Sequence, residues 1–309
     1  LNLNQANEFR ERGTDQPALK QDLDLRGIKM AESNPEMNGG AHPSMPELLS
    51  DNPIDLRTEI RQCYTLVAER GLQAIPDDDG ACCGPEGEIC CSPNAERLYS
   101  ADEIDSVTDA AAAASAGCGN PTAIGELKPG EMVLDLGSGG GIDCFLAAKQ
   151  VGPTGYVIGI DMTPAMIDLA QKNAVTLEAN NVVFKLSQIE SLPEPDNTVD
   201  AIISNCVINL AADKDAVFAE AFRVLRDGGR LYVSDIVVTE ELPLDVQADV
   251  NNWTGCIAGA QLQDVYLGQM ADAGFSEIEI VTSVPTSSGG EEPWSESVRS
   301  ISVKAVKRG

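Results

Sequence analysis

Nine cysteines and one histidine, His42, set the chemical possibilities of this 309-residue chain. A single histidine in a Pro/Gly-rich stretch confines any Ser-His-Asp arrangement to that residue and excludes multi-histidine metal sites. The cysteines are then the main reactive stock. Their odd number and irregular spacing in a long chain fit reduced thiols rather than a disulfide framework, which makes thiolate chemistry and soft-metal binding the leading options. Four lie in one loop between Pro76 and Pro93, as Cys82-Cys83-Gly-Pro and Cys90-Cys91-Ser-Pro, too rich in Gly and Pro for a helix or a central strand. A zinc knot is one reading of that loop, although Cys-Cys-x6-Cys-Cys departs from the usual C-x2-4-C spacing. Cys63 and Cys144 fall among apolar helical neighbours and read as packing residues.

The second constellation is Asp135-Leu136-Gly137-Ser138-Gly139-Gly140-Gly141, between an apolar strand and a helix. Glycines at 137, 139 and 141 let backbone approach a ligand at the carboxyl end of the first strand, where open α/β sheets bind ligands. The spacing discriminates among ligands. The dinucleotide fingerprint would place its last glycine where Ile142 stands, the P-loop would need a Lys-Ser/Thr pair, and Asp135 would repel a pyrophosphate. D-x-G-x-G-x-G is instead the pattern of class I methyltransferases, whose S-adenosylmethionine carries a sulfonium, an ammonium and no phosphate. Asp161, 26 residues after Asp135, ends the second strand, where a carboxylate can accept from both ribose hydroxyls. As an N-cap of the following helix Asp161 is less suited than Thr163, which directly precedes Pro164.

These residues need a scaffold, and the middle of the chain alternates cleanly. Apolar strands are expected at Met132 to Leu136, Tyr156 to Ile160, Val182 to Leu186, Val199 to Ser204 and Leu231 to Val238. Helices are expected at Ile142 to Gln150, Thr163 to Ala179 and Lys214 to Leu225, with a turn at Asp227-Gly228-Gly229. This pattern implies parallel strands covered on both faces, a doubly wound α/β domain. An earlier helix is expected from Ile54 to Arg70, stopped by Gly71. After Glu240 the signal weakens to a helix around Leu262 to Ala273 and strand-like runs at Ser276 to Val284 and Val298 to Val306. Three regions result: an irregular extension over 1–53, a ligand-binding domain over 54–240 and a C-terminal substrate region over 241–309.

Forty-nine acidic against 21 basic residues give a formal charge of −28, which repels phosphate backbones and anionic lipid surfaces. Nucleic acid and membrane are poor partners. Neither a leader-like start nor a long apolar run is present, so a soluble, cytoplasmic, monomeric protein is expected. The acid is spread along the chain rather than gathered in a tail. Adaptation to high salt and simple acidic solubility both accommodate it.

Beyond the glycine loop, the strings Val157-Ile-Gly-Ile-Asp161-Met-Thr-Pro-Ala-Met166, Ser204-Asn205-Cys206-Val-Ile-Asn-Leu210 and Gly117-Cys118-Gly-Asn-Pro121 resemble the arsenite methyltransferase family over about residues 55 to 280. The resemblance implies a Rossmann-like methyltransferase sheet with a small C-terminal α+β arsenic-binding region and an irregular N-terminal extension. It implies three cysteine ligands for trivalent arsenic, which by position are Cys118, Cys206 and Cys256, and a further redox cysteine, Cys90 or Cys91. For the Cys82/Cys83/Cys90/Cys91 loop it favours redox or arsenic delivery over zinc. Thiolates select soft As(III), whose lone pair is the nucleophile, so no general base is required. Cofactor binding is implied for Asp135, Gly137, Ser138, Gly139, Gly141, Asp161, Met162 and Thr163, for the adenine-edge segment Gln188-Ile189-Glu190, and for Asn205 on the pocket floor. A thioredoxin- or glutathione-type reductant is the implied co-substrate. Bland readings remain open: Cys206 as a small buried hydrophobe, Glu190 as a surface charge, Trp253 as filler. Two competing functions are a methyltransferase for a carbon or oxygen acceptor, which would tolerate loss of Cys118 and Cys256, and a non-catalytic thiol protein that sequesters arsenic or metal.

Overall fold

A computed structural model describes residues 56–73, 98–249, 252–253, 255–286 and 292–309. The expected extension over 1–53 and the loop holding Cys82, Cys83, Cys90 and Cys91 lie outside them. In chain order the described elements are α1 (Leu56–Gln73), three short helices α2 (Ala101–Ile104), α3 (Asp109–Ala113) and α4 (Pro121–Ile124), then β1 (Met132–Leu136) and α5 (Ile142–Val151). They continue with β2 (Tyr156–Asp161), α6 (Pro164–Thr176), β3 (Val182–Leu186), β4 (Val199–Asn205), α7 (Lys214–Val224) and β5 (Leu225–Val238). The chain then forms α8 (Leu244–Ala248), α9 (Gln263–Asp272), β6 (Phe275–Pro285) and β7 (Val298–Lys307). No helix among these residues is long and apolar enough to cross a membrane.

The strands form one seven-stranded sheet in the order β3-β2-β1-β4-β5-β7-β6. The first five are parallel, as the βαβ alternation requires. Apolar residues occupy both faces of these strands: Val133 packs in one core cluster with Phe145, Val157 and Ile203, while its neighbour Leu134 packs in another with Ile202, Phe218 and Tyr266. Helices cover both layers, so the sheet is doubly wound. β7 pairs antiparallel with both β5 and β6. Only twelve residues separate β6 from β7, with a short 3-10 turn at Pro293–Ser297 among the described ones, a connection that suits an antiparallel return better than a parallel one. The two C-terminal strands thus complete the same sheet.

Two local expectations change. The helix α1 runs through Gly71 to Gln73, because glycine ends a helix only where the chain turns into the left-handed region behind it. Asp227-Gly228-Gly229 lies within β5 rather than in a turn before it: a bulge between the Val199 and Ala201 pairings absorbs the extra residues, with Gly228 at φ 78°.

β1 and β4 are neighbours in space but run to connections on opposite sides, the arrangement that opens a crevice at strand carboxyl ends. Register sets what meets there. Leu136 pairs with Ser204, Asn205 with Ser234, and Asp235 with Ile301. The glycine loop, the Asn205-Cys206 step and Asp235 therefore emerge side by side.

Candidate active site

A cavity of about 260 Å³ opens at this crevice. Its floor is the glycine loop, Gly137 to Gly140, and its walls include Asp161, Met162, Thr163, Ile189, Glu190, Asn205 and Cys206. Leu56, Arg57, Ile60 and Tyr64 of α1 also line it, a contribution from a remote helix that no local sequence signal announced. An Arg57–Glu190 ion pair of 3.1 Å ties α1 to the segment after β3.

The loop conformation follows from its glycines. Gly137 and Gly139 have φ 72° and 50°, where a Cβ is strained, and a Cβ on Gly137 would stand 2.6 Å from Val207 Cβ. Asp161 holds the loop from β2, accepting from the Gly139 N–H at 3.0 Å and the Thr163 N–H at 2.8 Å. Burial raises its carboxyl pKa and these backbone donors oppose the rise. Thr163 occupies the N-cap of α6, but its side chain makes no cap hydrogen bond.

Three expected cofactor residues stand elsewhere. Asp135 is buried behind the loop and accepts from the Cys144 thiol at 3.1 Å; burial, and then the charge of Asp143, push its carboxyl well up. Gly141 is off the cavity wall, and a Cβ there would stand 2.8 Å from the Phe145 and Phe184 rings, so it serves aromatic packing. Gln188 also lies outside the lining. Cys63 and Cys144 are buried, as packing residues should be.

At one end of the cavity the cysteines converge. Cys118, from the Gly-Cys-Gly turn, and Cys206, just past β4, place their sulfurs with an Asp235 carboxylate oxygen so that all three atoms lie within 4.8 Å of one another. Cys256 stands outside that three-atom group, yet Cys206 interacts electrostatically with both Cys118 and Cys256. The Cys256 thiol donates to the Cys206 carbonyl at 3.1 Å, and its turn is pinned by the Cys256 N–H donating to the Trp253 carbonyl at 3.0 Å. Trp253 thus holds the Cys256 turn through its backbone. Cys206 and Cys256 both adopt left-handed backbone, at φ 59° and 61°. Burial raises the Cys118 thiol; the neighbouring Cys118 and Cys256 thiols, and then burial, push the Cys206 thiol well up. Both are thiols near neutral pH.

Asn205 joins the two halves. Its Oδ1 accepts from the Cys118 and Gly119 N–H groups at 3.0 and 3.2 Å, while its amide nitrogen reaches the Gly119 carbonyl at 2.7 Å and Asp143 at 3.2 Å. Tyr99 donates to the other Asp143 oxygen at 3.0 Å. Burial raises the Asp143 carboxyl to about 6 against these donors. Asp235, missed by sequence reasoning, is fully buried. Its signal was a charged residue inside the apolar run Tyr232 to Val238, a costly placement without a purpose.

The cavity suits a ligand with hydroxyls and positive charge. Asp161 and Glu190 offer carboxylates on its wall, and the buried Ser138 Oγ in the loop has no hydrogen-bond partner within the protein. Such a donor set fits the ribose, ammonium and sulfonium of S-adenosylmethionine.

Comparison with known proteins agrees with this geometry. Residues 127–282 match a family model described as a methyltransferase domain. The chain is 47% identical over 236 residues to the arsenite methyltransferase of Halobacterium salinarum, covering 74% of this chain and 59% of that one. The human arsenite methyltransferase is 42% identical over 137 residues, 41% of this chain and 36% of its own. The chain therefore spans less than two thirds of the length of these curated relatives. The crystal structure of an arsenic(III) S-adenosylmethionine methyltransferase from Chlamydomonas reinhardtii superposes with a TM-score of 0.58 at 32% identity, over 68% of this chain and 71% of that one. On glycine loop, crevice and relatives together, the chain belongs to the arsenite methyltransferase family of class I S-adenosylmethionine-dependent methyltransferases.

Proposed function

We propose that the protein methylates arsenite at the Cys118/Cys206/Cys256 cluster, using S-adenosylmethionine held in the adjoining cavity. The observation that carries this reading is the position of Cys206, which lines the cavity, lies within 4.8 Å of the Cys118 sulfur and accepts the Cys256 thiol at its carbonyl. A group bound at its sulfur faces the cofactor. In the cavity Asp161 takes the ribose hydroxyls with its remaining lone pairs, Ser138 supplies a free hydroxyl, and the Ile189-Glu190 segment borders the adenine. When bound, S-adenosylmethionine supplies an electrophilic methyl group on a sulfonium.

The chain's own work is capture and orientation. Arsenite reaches the cluster as As(OH)3, and each thiol exchanges with a hydroxide: an As–S bond forms, an As–O bond breaks, and the thiol proton leaves with the hydroxide as water. Protonated thiols suit this exchange because charge need not accumulate in a buried pocket. Two exchanges at Cys118 and Cys206 place arsenic beside the cavity, and Cys256 completes a soft three-sulfur set by turning its thiol from the Cys206 carbonyl. Fixing arsenic in line with the methyl group is a proximity effect and needs no general base. After transfer arsenic is formally pentavalent; two of its sulfur ligands leave joined as a disulfide, which returns arsenic to the trivalent state, and a thioredoxin- or glutathione-type thiol reductant then reduces that disulfide to free cysteines.

Purified protein incubated with arsenite, S-adenosylmethionine and dithiothreitol should form methylarsenicals, resolved by liquid chromatography with elemental arsenic detection. Cys206→Ser should abolish them. Full activity in Cys206→Ser would overturn the ligand assignment, and arsenite binding without product would return the protein to a sequestering role.

A further inference from the structure

We propose that Asp235 is a further catalytic residue of this reaction, its carboxylate stabilising the positive charge that forms on arsenic as the methyl group arrives. This rests on the arsenite reading above. The carboxylate oxygen lies within 4.8 Å of both the Cys118 and Cys206 sulfurs, the spacing of groups that face one atom. It is also absent from the wall of the cofactor cavity, which Cys206 lines. Asp235 therefore stands on the arsenic side of the cluster, away from the sulfonium.

Charge moves toward it in the reaction. Before transfer, trivalent arsenic bound by thiolates is neutral and the positive charge resides on sulfur. The arsenic lone pair forms the As–C bond, the S–C bond breaks with its electron pair staying on sulfur, and the positive charge passes to arsenic. A fixed anion beside arsenic and farther from sulfur is worth more in the transition state than in the ground state, the condition for catalysis.

The carboxylate is locked for this task. One oxygen accepts from the Tyr266 hydroxyl at 3.1 Å and the Asn209 N–H at 3.2 Å, the other from the Ile236 N–H at 2.9 Å. Tyr266 is itself fully buried and packs edge-on against Phe218. The buried Lys214 ammonium binds the Asn209 and Ala211 carbonyls rather than the carboxylate, so Asp235 keeps a charge not spent on a direct ion pair. Ser234, Ile236, Val237 and Val238 around it are buried, so the carboxylate acts in surroundings of low dielectric, where a fixed charge is felt strongly.

The test compares wild type, Asp235→Asn and Tyr266→Phe in three measurements: arsenite affinity by equilibrium dialysis, S-adenosylhomocysteine affinity by calorimetry, and single-turnover methylation of arsenite by S-adenosylmethionine. Asp235→Asn should keep both affinities within about threefold and lose roughly 100-fold in the methylation rate. Tyr266→Phe removes a donor that shares the carboxylate's charge and should methylate at least as fast as wild type. A large loss of arsenite affinity in Asp235→Asn would make the residue a ligand or a structural support and overturn the proposal. A wild-type rate in that variant, or an equally slow Tyr266→Phe, would overturn it too. A wild-type protein that methylates no arsenite overturns the parent reading, whereas active wild type with fully active Asp235→Asn overturns the role of Asp235 alone.

Discussion

A methyl group added at Gly117 would stand 2.6 Å from Asn205 Cγ, and one at Gly119 would stand 2.5 Å from Ser234 Oγ. The Gly-Cys-Gly turn is thus wedged between two side chains, and its thiol has little freedom to move. Gly117→Ala should push the Cys118 backbone off Asn205, costing about 1–3 kcal/mol of stability and weakening arsenite binding more than cofactor binding; denaturant melts and dialysis would show it. Asp143 offers a second residue-level test. Its folded pKa of about 6 lies above the ordinary 3.8, so the proton it holds contributes stability below that ordinary value, and this is lost as pH rises through 6. Relative to Asp143→Asn, wild type should lose about 2 kcal/mol between pH 4 and pH 7, read from denaturant midpoints at each pH. An unchanged difference would place the strain elsewhere. Asp161 and Cys206 could be singled out because they stand at strand ends, where position carries meaning, whereas Cys118, in a turn between two short helices, was named only through the family resemblance. Asp235 and Tyr99 were not legible, because their partners arrive from strands and helices far away in the chain. Gly141 shows the converse: spacing placed it near the ligand, while packing against the Phe145 and Phe184 rings puts it off the cavity wall.

Helix α1 is the element whose role the sequence left blank. Its periodicity announced a helix, but not that Leu56, Ile60 and Tyr64 would border the cavity, since the face a helix presents depends on what it packs against. Val67 and Ala68 seat it on Met166 and Leu169 of α6, and Arg57 reaches Glu190. Half-exposed ion pairs contribute about 0.2–1 kcal/mol, so Arg57→Ala should weaken S-adenosylhomocysteine binding about two- to fivefold with little change in melting temperature. Calorimetry at two salt concentrations checks it, because the wild-type advantage should shrink as salt screens the pair. An effect that grows with salt would mean that α1 holds the ligand by its apolar face alone. The parallel strands were the most legible elements of the fold, because a short run that is apolar on both faces and set between helices is buried fully only at the centre of a covered sheet. β7 and β6 were read as strands without a direction, which their pairing decides as antiparallel.

Across the whole molecule, 49 acidic against 21 basic residues leave a charge of −28, while the site itself depends on buried carboxylates. At low ionic strength this surface repels itself, and screening contracts to about 3 Å at molar salt. Methylation activity and melting temperature should therefore rise together with KCl, with the activity maximum above about 0.2 M; a maximum below that concentration would leave the acidity as a matter of solubility alone. Salt of this kind acts on the surface more than on the cluster, where Cys206 and Cys256 are buried and Cys118 is half-buried. A different tension is stored inside. Cys206 and Cys256 hold left-handed backbone that asparagine and glycine adopt far more readily, at an expense of order 1 kcal/mol each. The fold would be at greater ease without these thiols. Lineages released from arsenic should drift toward glycine or asparagine at 206 and 256, and a library selected for thermal stability alone should discard both cysteines, leaving an S-adenosylmethionine-binding scaffold free to acquire another acceptor.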